Sequence, residues 1–151
     1  MKKLNIKIIF QMMGFLLIFN GFFMLVSAIV SIYYKDGATK GILFAGIITI
    51  AIGLLFRFIT KGFKKEIKKR EGYIVVTLGW IFMSLSGSLP YLFTESIPFF
   101  TNAFFETMSG YTTTGASILD DIEIMPEGIL FWRSTTHWIG GMGIIVLTIA
   151  V

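Results

Sequence analysis

With 151 residues, 55% of them hydrophobic and only 15% charged, the chain falls well below the roughly 25% charge of soluble domains and reads as an all-α integral membrane protein. It has no cysteine and a single histidine, which excludes a disulfide framework, a thiolate metal site and a zinc-type histidine cluster. The net charge of +4 does not point to nucleic acid, because the basic residues gather at the ends of apolar runs and not along a polar face.

The first uncharged run, Ile8 to Tyr34, is 27 residues long. Lys2, Lys3 and Lys7 precede it in the manner of a signal peptide, but signal h-regions run about 7 to 15 residues and end at small residues. Phe22, Phe23 and Met24 lie deep inside this run, so a retained, tilted transmembrane helix is predicted. A polar turn, Lys35 to Lys40, leads to a second span from Gly41 to Ile59, interrupted by Arg57, which can snorkel to the interface. Residues 61–71 carry six basic and two acidic side chains, which puts this loop and the amino terminus in the cytoplasm by the positive-inside rule. Phe63 and Ile67 are four apart, so a short surface helix there would set apolar groups in lipid and lysines at anionic headgroups. The third span is Gly72 to Thr94, with Pro90 near its far end, where a helix can terminate.

Ser96 to Leu119 is uncharged apart from Glu106 and resembles a further span. Its residues argue otherwise. A helix over Pro98–Ser109 is about 18 Å long at 1.5 Å per residue, little more than half of a hydrocarbon core of about 30 Å. Beyond it, Gly110-Tyr111-Thr112-Thr113-Thr114-Gly115-Ala116-Ser117 is β-branched and glycine-punctuated, a poor helix continuation. The expectation is a re-entrant pore helix and loop. Irregular backbone at membrane depth is tolerated only where protein buries it or where it lines a wet cavity. A threonine-rich run with glycine suits replacement of an ion's water by carbonyl oxygens, which makes Thr112, Thr113, Thr114, Gly115 and Ala116 the candidate filter for potassium. The alternative is a polar turn that caps a buried helix.

Asp120, Asp121, Glu123 and Glu127 follow on the outer side, where negative charge would concentrate cations at a pore mouth. The last span begins near Gly128, and its final 18 residues, Ser134 to Val151, are uncharged. Glu106 needs a partner, since a charge at this depth costs about 2.5–3.5 kcal/mol. Arg133 is the nearest cation, and together they would brace the filter. A hydrated carboxylate in an outer crevice is the competing reading. Gly140, Gly141 and Gly143 permit close helix packing or a bend that serves a gate, as Ser84, Ser86, Gly87 and Ser88 permit packing in the third span. His137 reads as a satisfied interhelical histidine.

The order helix, pore helix, filter, helix, carrying Phe104-Phe105-Glu106-Thr107-Met108-Ser109-Gly110 into the filter and followed by Phe131-Trp132-Arg133-Ser134 and Trp138-Ile139-Gly140-Gly141-Met142-Gly143-Ile144, resembles the first repeat of the TrkH/KtrB potassium transporter superfamily. The resemblance is strongest over residues 72–151. It implies an amino-terminal helix pair (1–60), a cytoplasmic basic loop (61–71) and a first helix–pore loop–helix repeat (72–151). It implies that four such repeats surround one pore, with Gly115 as the filter glycine whose replacement by serine would admit sodium. The other three repeats would lie beyond Val151 or be supplied by further copies. His137 departs from the pattern, which expects glutamine there. The implied function is potassium uptake across the inner membrane, with no bond chemistry and no cofactor besides the potassium substrate. The implied partners are the lipid bilayer and a cytoplasmic nucleotide-binding regulatory subunit.

Two other classes compete. A small membrane scaffold or assembly subunit would use the Thr-Gly run for packing only. An intramembrane hydrolase would need Ser117 or Ser134 with His137, but no Gly-x-Ser-x-Gly elbow is present and Ser109 and Ser117 flank the filter.

Overall fold

The structure, a computed structural model, describes the backbone of residues 6–61 and 69–150 and the side chains of residues 6–61 and 71–143. Most of the basic loop, with Phe63 and Ile67, lies outside the described residues. Six helices follow one another: α1 Ile6–Tyr34, α2 Thr39–Ile59, α3 Lys69–Gly87, α4 Leu89–Phe93, α5 Phe100–Tyr111 and α6 Glu127–Ala150. Among the described residues three segments, Ile6–Tyr34, Thr39–Ile59 and Glu71–Phe93, are long and apolar enough to cross a membrane. Phe15, Phe22 and Ile29, seven apart along α1, are all more than half exposed, as a lipid-facing stripe requires.

Glycines set the α1–α2 contact. A Cβ on Gly14 would lie 2.7 Å from the Gly53 carbonyl oxygen, and one on Gly21 would lie 2.9 Å from that of Gly46. Each pair is seven residues apart in its own helix, so the antiparallel backbones touch twice along one seam. Dispersion and close packing hold helices together where lipid is as apolar as leucine.

Pro90 does not end the third span. The helix breaks at Ser88, two residues earlier, and resumes for one turn with Pro90 in the first turn of α4. Proline has no N–H to donate back to the Ser86 carbonyl. Helical bonding nonetheless bridges the break, from Ser88 N–H to the Ser84 carbonyl at 3.0 Å. The Gly87 carbonyl at the break accepts the indole N–H of Trp132 at 2.9 Å, so that acceptor is paired within the apolar interior. Trp132 is buried with Met24, Ile42, Tyr91, Ala103 and Ile129 in the main core.

The α1–α2 turn and the start of α6 meet at one end of the bundle. Asp36 accepts the Gly128 N–H at 2.7 Å and the Ala38 N–H at 3.0 Å, and is also bonded by the Ser31 hydroxyl. This contact puts Lys35–Lys40 and the acidic stretch before α6 on the same side. Partial burial pushes the Asp36 carboxyl up, but its hydrogen bonds outweigh that and hold it below the ordinary value.

Two predictions follow from this packing. Gly53→Val is expected to destabilise the fold by about 1–3 kcal/mol through overpacking; an unchanged melting temperature in detergent would remove the glycine seam as a constraint. The depressed Asp36 pKa stabilises the fold above the unfolded value of about 3.9, and that contribution is lost as pH falls through the folded value. The gap in melting temperature between the parent and Asp36→Asn should therefore narrow below about pH 4.

Candidate ion-selectivity site

The short helix expected ahead of the candidate filter forms as α5, over Phe100–Tyr111. It has the 12 residues expected, shifted two positions from Pro98–Ser109. Phe99 is extended and serves as N-cap, leaving Pro98 outside the helix. At 1.5 Å per residue α5 is about 18 Å long, half the length of α6.

Its far end carries a defined cap. Thr113 N–H donates to the Gly110 carbonyl at 2.9 Å and Thr114 N–H to the Ser109 carbonyl at 3.0 Å, with Thr113 at φ +54°. This is the Schellman arrangement, with threonine where glycine is usual. A β-branched residue in the left-handed region costs about 1–2 kcal/mol, so the conformation is imposed by its surroundings. Gly115 follows at φ +76°. Positive φ thus recurs at alternate residues, and such reversals turn successive peptide planes so that N–H groups gather on one side.

The consequence is an asymmetric use of the backbone. The N–H groups of Thr112, Thr113 and Thr114 all bond back to the end of α5. No donor among the described residues reaches the carbonyls of Thr112, Thr113, Thr114 or Gly115, and the run 112–118 is exposed. The Thr112 hydroxyl donates to the Met108 carbonyl at 2.8 Å and lies 2.8 Å from the Thr114 hydroxyl, so these two hydroxyls are engaged within the turn. The N–H groups of Thr112–Thr114 therefore act as the capping alternative expects, and the four carbonyls are left without a donor among the described residues. A negative helix end lies beside them, since the last carbonyls of α5 carry about half an electron charge.

Glu106 is 1% exposed and has three donors. Arg133 Nε lies 2.7 Å from Oε1, the Ser117 hydroxyl 3.0 Å from Oε2, and the Ile118 N–H 3.1 Å from Oε2. One turn further along the same face, the Ser109 hydroxyl donates to the Ala116 carbonyl at 2.6 Å. Residues 116–118 are thus tied at two points back to α5, while Arg133 ties Glu106 to α6. Tyr91, fully buried, lies within electrostatic range of both Glu106 and Arg133, and its hydroxyl has no hydrogen-bond partner among the described residues.

The three glycines of α6 differ. A Cβ on Gly140 would collide with the Tyr111 carbonyl, one on Gly143 would meet the Trp80 ring at 3.2 Å, and one on Gly141 would meet only Thr113 at 3.9 Å. Gly110 is likewise pressed on Thr136. Gly115 has open space around its Cα, so its constraint is the backbone angle and not crowding.

Sequence reasoning missed the polar contacts behind the candidate filter. Asn20, midway along α1 and fully buried, donates from Nδ2 to Ser86 Oγ at 2.9 Å and to the Met83 carbonyl at 3.3 Å. Its Oδ1 accepts the Tyr111 hydroxyl. The available signal was a lone asparagine inside a 27-residue uncharged run. The serine–histidine arrangement of a hydrolase is not assembled: the Ser117 hydroxyl serves Glu106, the Ser134 hydroxyl serves the Leu130 carbonyl, and His137 Nδ1 lies 3.0 Å from the Arg133 carbonyl. A cavity of about 340 Å³ between α1, α3 and α6 is lined by Leu16, Phe19, Trp80, Met83, Ile139 and Gly143 and offers an ion no ligands.

Comparison with known proteins agrees with this architecture. Residues 38–151 match a family described as TrkH, cation transport protein. The Trk system potassium uptake protein TrkH of Escherichia coli (strain K12) is 38% identical over 149 residues, covering 98% of this chain and 31% of that protein. TrkG of the same organism, also a Trk system potassium uptake protein, is 32% identical over 152 residues. The crystal structure of the potassium transporter TrkH from Vibrio parahaemolyticus superposes with a TM-score of 0.90 at 36% identity, covering 97% of this chain and 32% of that one. The chain spans about a third of the length of the relatives it matches.

Arg133→Gln leaves Glu106 buried without its counter-charge and is expected to cost about 3 kcal/mol. The double variant Glu106→Gln/Arg133→Gln should recover most of that loss. Equal melting temperatures for the single and double variants would show that the two side chains are not energetically coupled.

Proposed function

The chain belongs to the TrkH family of cation transport proteins, and on that premise we propose that it contributes one of four filter segments to a potassium uptake pathway across the cytoplasmic membrane. The observation that carries this reading is the asymmetric backbone that follows α5, in which the N–H groups of Thr112, Thr113 and Thr114 are consumed by the helix cap while no donor among the described residues reaches the carbonyls of Thr112–Gly115. A dehydrated monovalent cation needs such oxygens, and lone carbonyls at membrane depth need such a cation or water.

In this reading α5 enters the membrane from outside, stops partway, and the filter returns the chain to the side it came from. Residues 1–60 form an accessory helix pair, 61–71 a cytoplasmic loop, and 72–151 the first pore repeat. The amino terminus is cytoplasmic, and the acidic residues Asp120, Asp121, Glu123 and Glu127 sit at the outer mouth. Glu106, Arg133 and Ser109 hold the filter's exit against the pore helix. Gly140 and Gly143 are packing contacts of the final helix, and Gly141, where a Cβ would make only an ordinary contact with Thr113 at 3.9 Å, is the position where a mobile segment would find room. Three further repeats, from the same protein or from other copies, complete the ring. Lipid surrounds it, and a nucleotide-binding regulator docks at the cytoplasmic face.

Uptake then requires no chemical step. Potassium exchanges its hydration shell for carbonyl oxygens, and the membrane potential contributes about 2.3 kcal/mol per charge per 100 mV toward the inside. Gly115 matters because an L-residue at φ +76° is strained by about 1–2 kcal/mol, so a side chain there shifts the neighbouring carbonyls.

The test is growth on limiting potassium of a host lacking its own uptake systems, carrying the complete gene product or its Gly115→Ser variant. Rescue by the parent, with a lower potassium-over-sodium preference in the variant, is expected. No rescue by a well-expressed, correctly inserted parent together with its cytoplasmic partner would favour a scaffold role instead, and an unchanged preference in Gly115→Ser would remove Gly115 from the filter.

A further inference from the structure

Tyr111 is the last residue of the pore helix and immediately precedes the filter. It is fully buried and gripped from three sides. Its carbonyl lies against Gly140 of α6, at a distance that leaves no room for a Cβ. Its ring lies over Gly87 of α3, where a Cβ would stand 3.1 Å from the ring and 3.2 Å from the hydroxyl oxygen. The hydroxyl reaches Asn20 of α1.

The direction of these bonds is determined by the donors present. The Ser86 hydroxyl donates to the Met83 carbonyl at 3.1 Å, so its oxygen is left to accept from Asn20 Nδ2 at 2.9 Å. That orients the carboxamide with Oδ1 toward Tyr111, whose hydroxyl donates to it. Asn20 is therefore a fixed acceptor: Ser86 and Met83 on α3 hold one end of the amide, and the other end meets the phenol. The sequence separation between Asn20 and Tyr111 is 91 residues, and α1 lies outside the pore repeat.

We propose that Asn20 is a positioning residue for ion selectivity: by accepting the Tyr111 hydroxyl it fixes where the pore helix ends, and thereby where the Thr112–Gly115 carbonyls stand. The inference rests on the filter reading above. Discrimination between potassium and sodium depends on the placement and number of carbonyl dipoles. The Tyr111 backbone is continuous with Thr112, and the N–H groups of Thr112, Thr113 and Thr114 hang from the last turn of α5. A shift of the phenol is passed to the filter through that turn. Of the three grips on Tyr111, the bond to Asn20 is the directional one. The accessory helix pair thereby acquires a role in selectivity, although none of its described residues belongs to the Thr112–Ala116 run.

The test is potassium and sodium flux through the complete gene product, purified and reconstituted in liposomes, for Tyr111→Phe, Asn20→Leu and the double variant, with Gly115→Ser as the reference. The permeability ratio is independent of how much protein is active, so a loss of stability alone would not move it. Each single variant is expected to lower the potassium-over-sodium ratio by at least threefold, and the double variant to be no worse than the poorer single. An unchanged ratio in Tyr111→Phe while Gly115→Ser lowers it would overturn the role of Asn20 and leave the filter intact. So would single effects that multiply in the double variant. An unchanged ratio in Gly115→Ser as well would overturn the filter reading and this inference together. If Asn20→Leu fails to fold, Tyr111→Phe, which removes one oxygen and keeps the ring, decides the matter alone.

Discussion

A half-length helix that stops inside an apolar bundle has to deliver its final backbone groups, and any charge it carries, to partners that lipid cannot supply. The structure around α5 is organised by that requirement. Its last turn is closed by the N–H groups of Thr112, Thr113 and Thr114, and its carboxylate by Arg133, Ser117 and Ile118. Meeting both demands draws residues 112–118 into a short loop whose exit is held against its own entry. The left-handed backbone at Thr113 persists because these bonds determine it more strongly than threonine's own preference does.

The same requirement explains where the helices approach most closely. Gly110 and Gly140 let α5 and α6 touch through backbone, and Gly87 lets the Tyr111 ring lie on α3. Gly14 and Gly53, with Gly21 and Gly46, do the same for α1 and α2. Small residues here exchange side-chain volume for contact between polar backbones, which gives dispersion contacts where the hydrophobic effect no longer distinguishes protein from lipid. The break before Pro90 is handled in kind, since the indole of Trp132 fills the acceptor at Gly87.

Among the described residues the buried side-chain donors and charges are paired apart from the Tyr91 hydroxyl, and the carbonyls of Thr112–Gly115 are without a donor. In the proposed reading this contrast is what an ion path would use, whereas a helix cap needs only the N–H groups.

Composition and run length were enough to give an all-helical membrane protein, its spans to within a few residues, and a helix too short to cross. Those follow from local chemistry: apolar runs have one stable form in lipid, and β-branched, glycine-containing stretches interrupt it. The need of Glu106 for a cation was equally legible, since an isolated buried charge is too costly to leave alone. The identity of the other two donors was not, because Ser117 and Ile118 reach Glu106 only once the loop has turned back. Nor could the sequence say that Gly140 and Gly143 would be packing contacts while Gly141 stood clear, since that depends on the rotation of α6 about its axis. Asn20 and Tyr111 are 91 positions apart and share no pattern in the chain. Their bond exists because tertiary packing brings the middle of α1 against the end of α5, in a solvent that obliges two polar side chains to find each other.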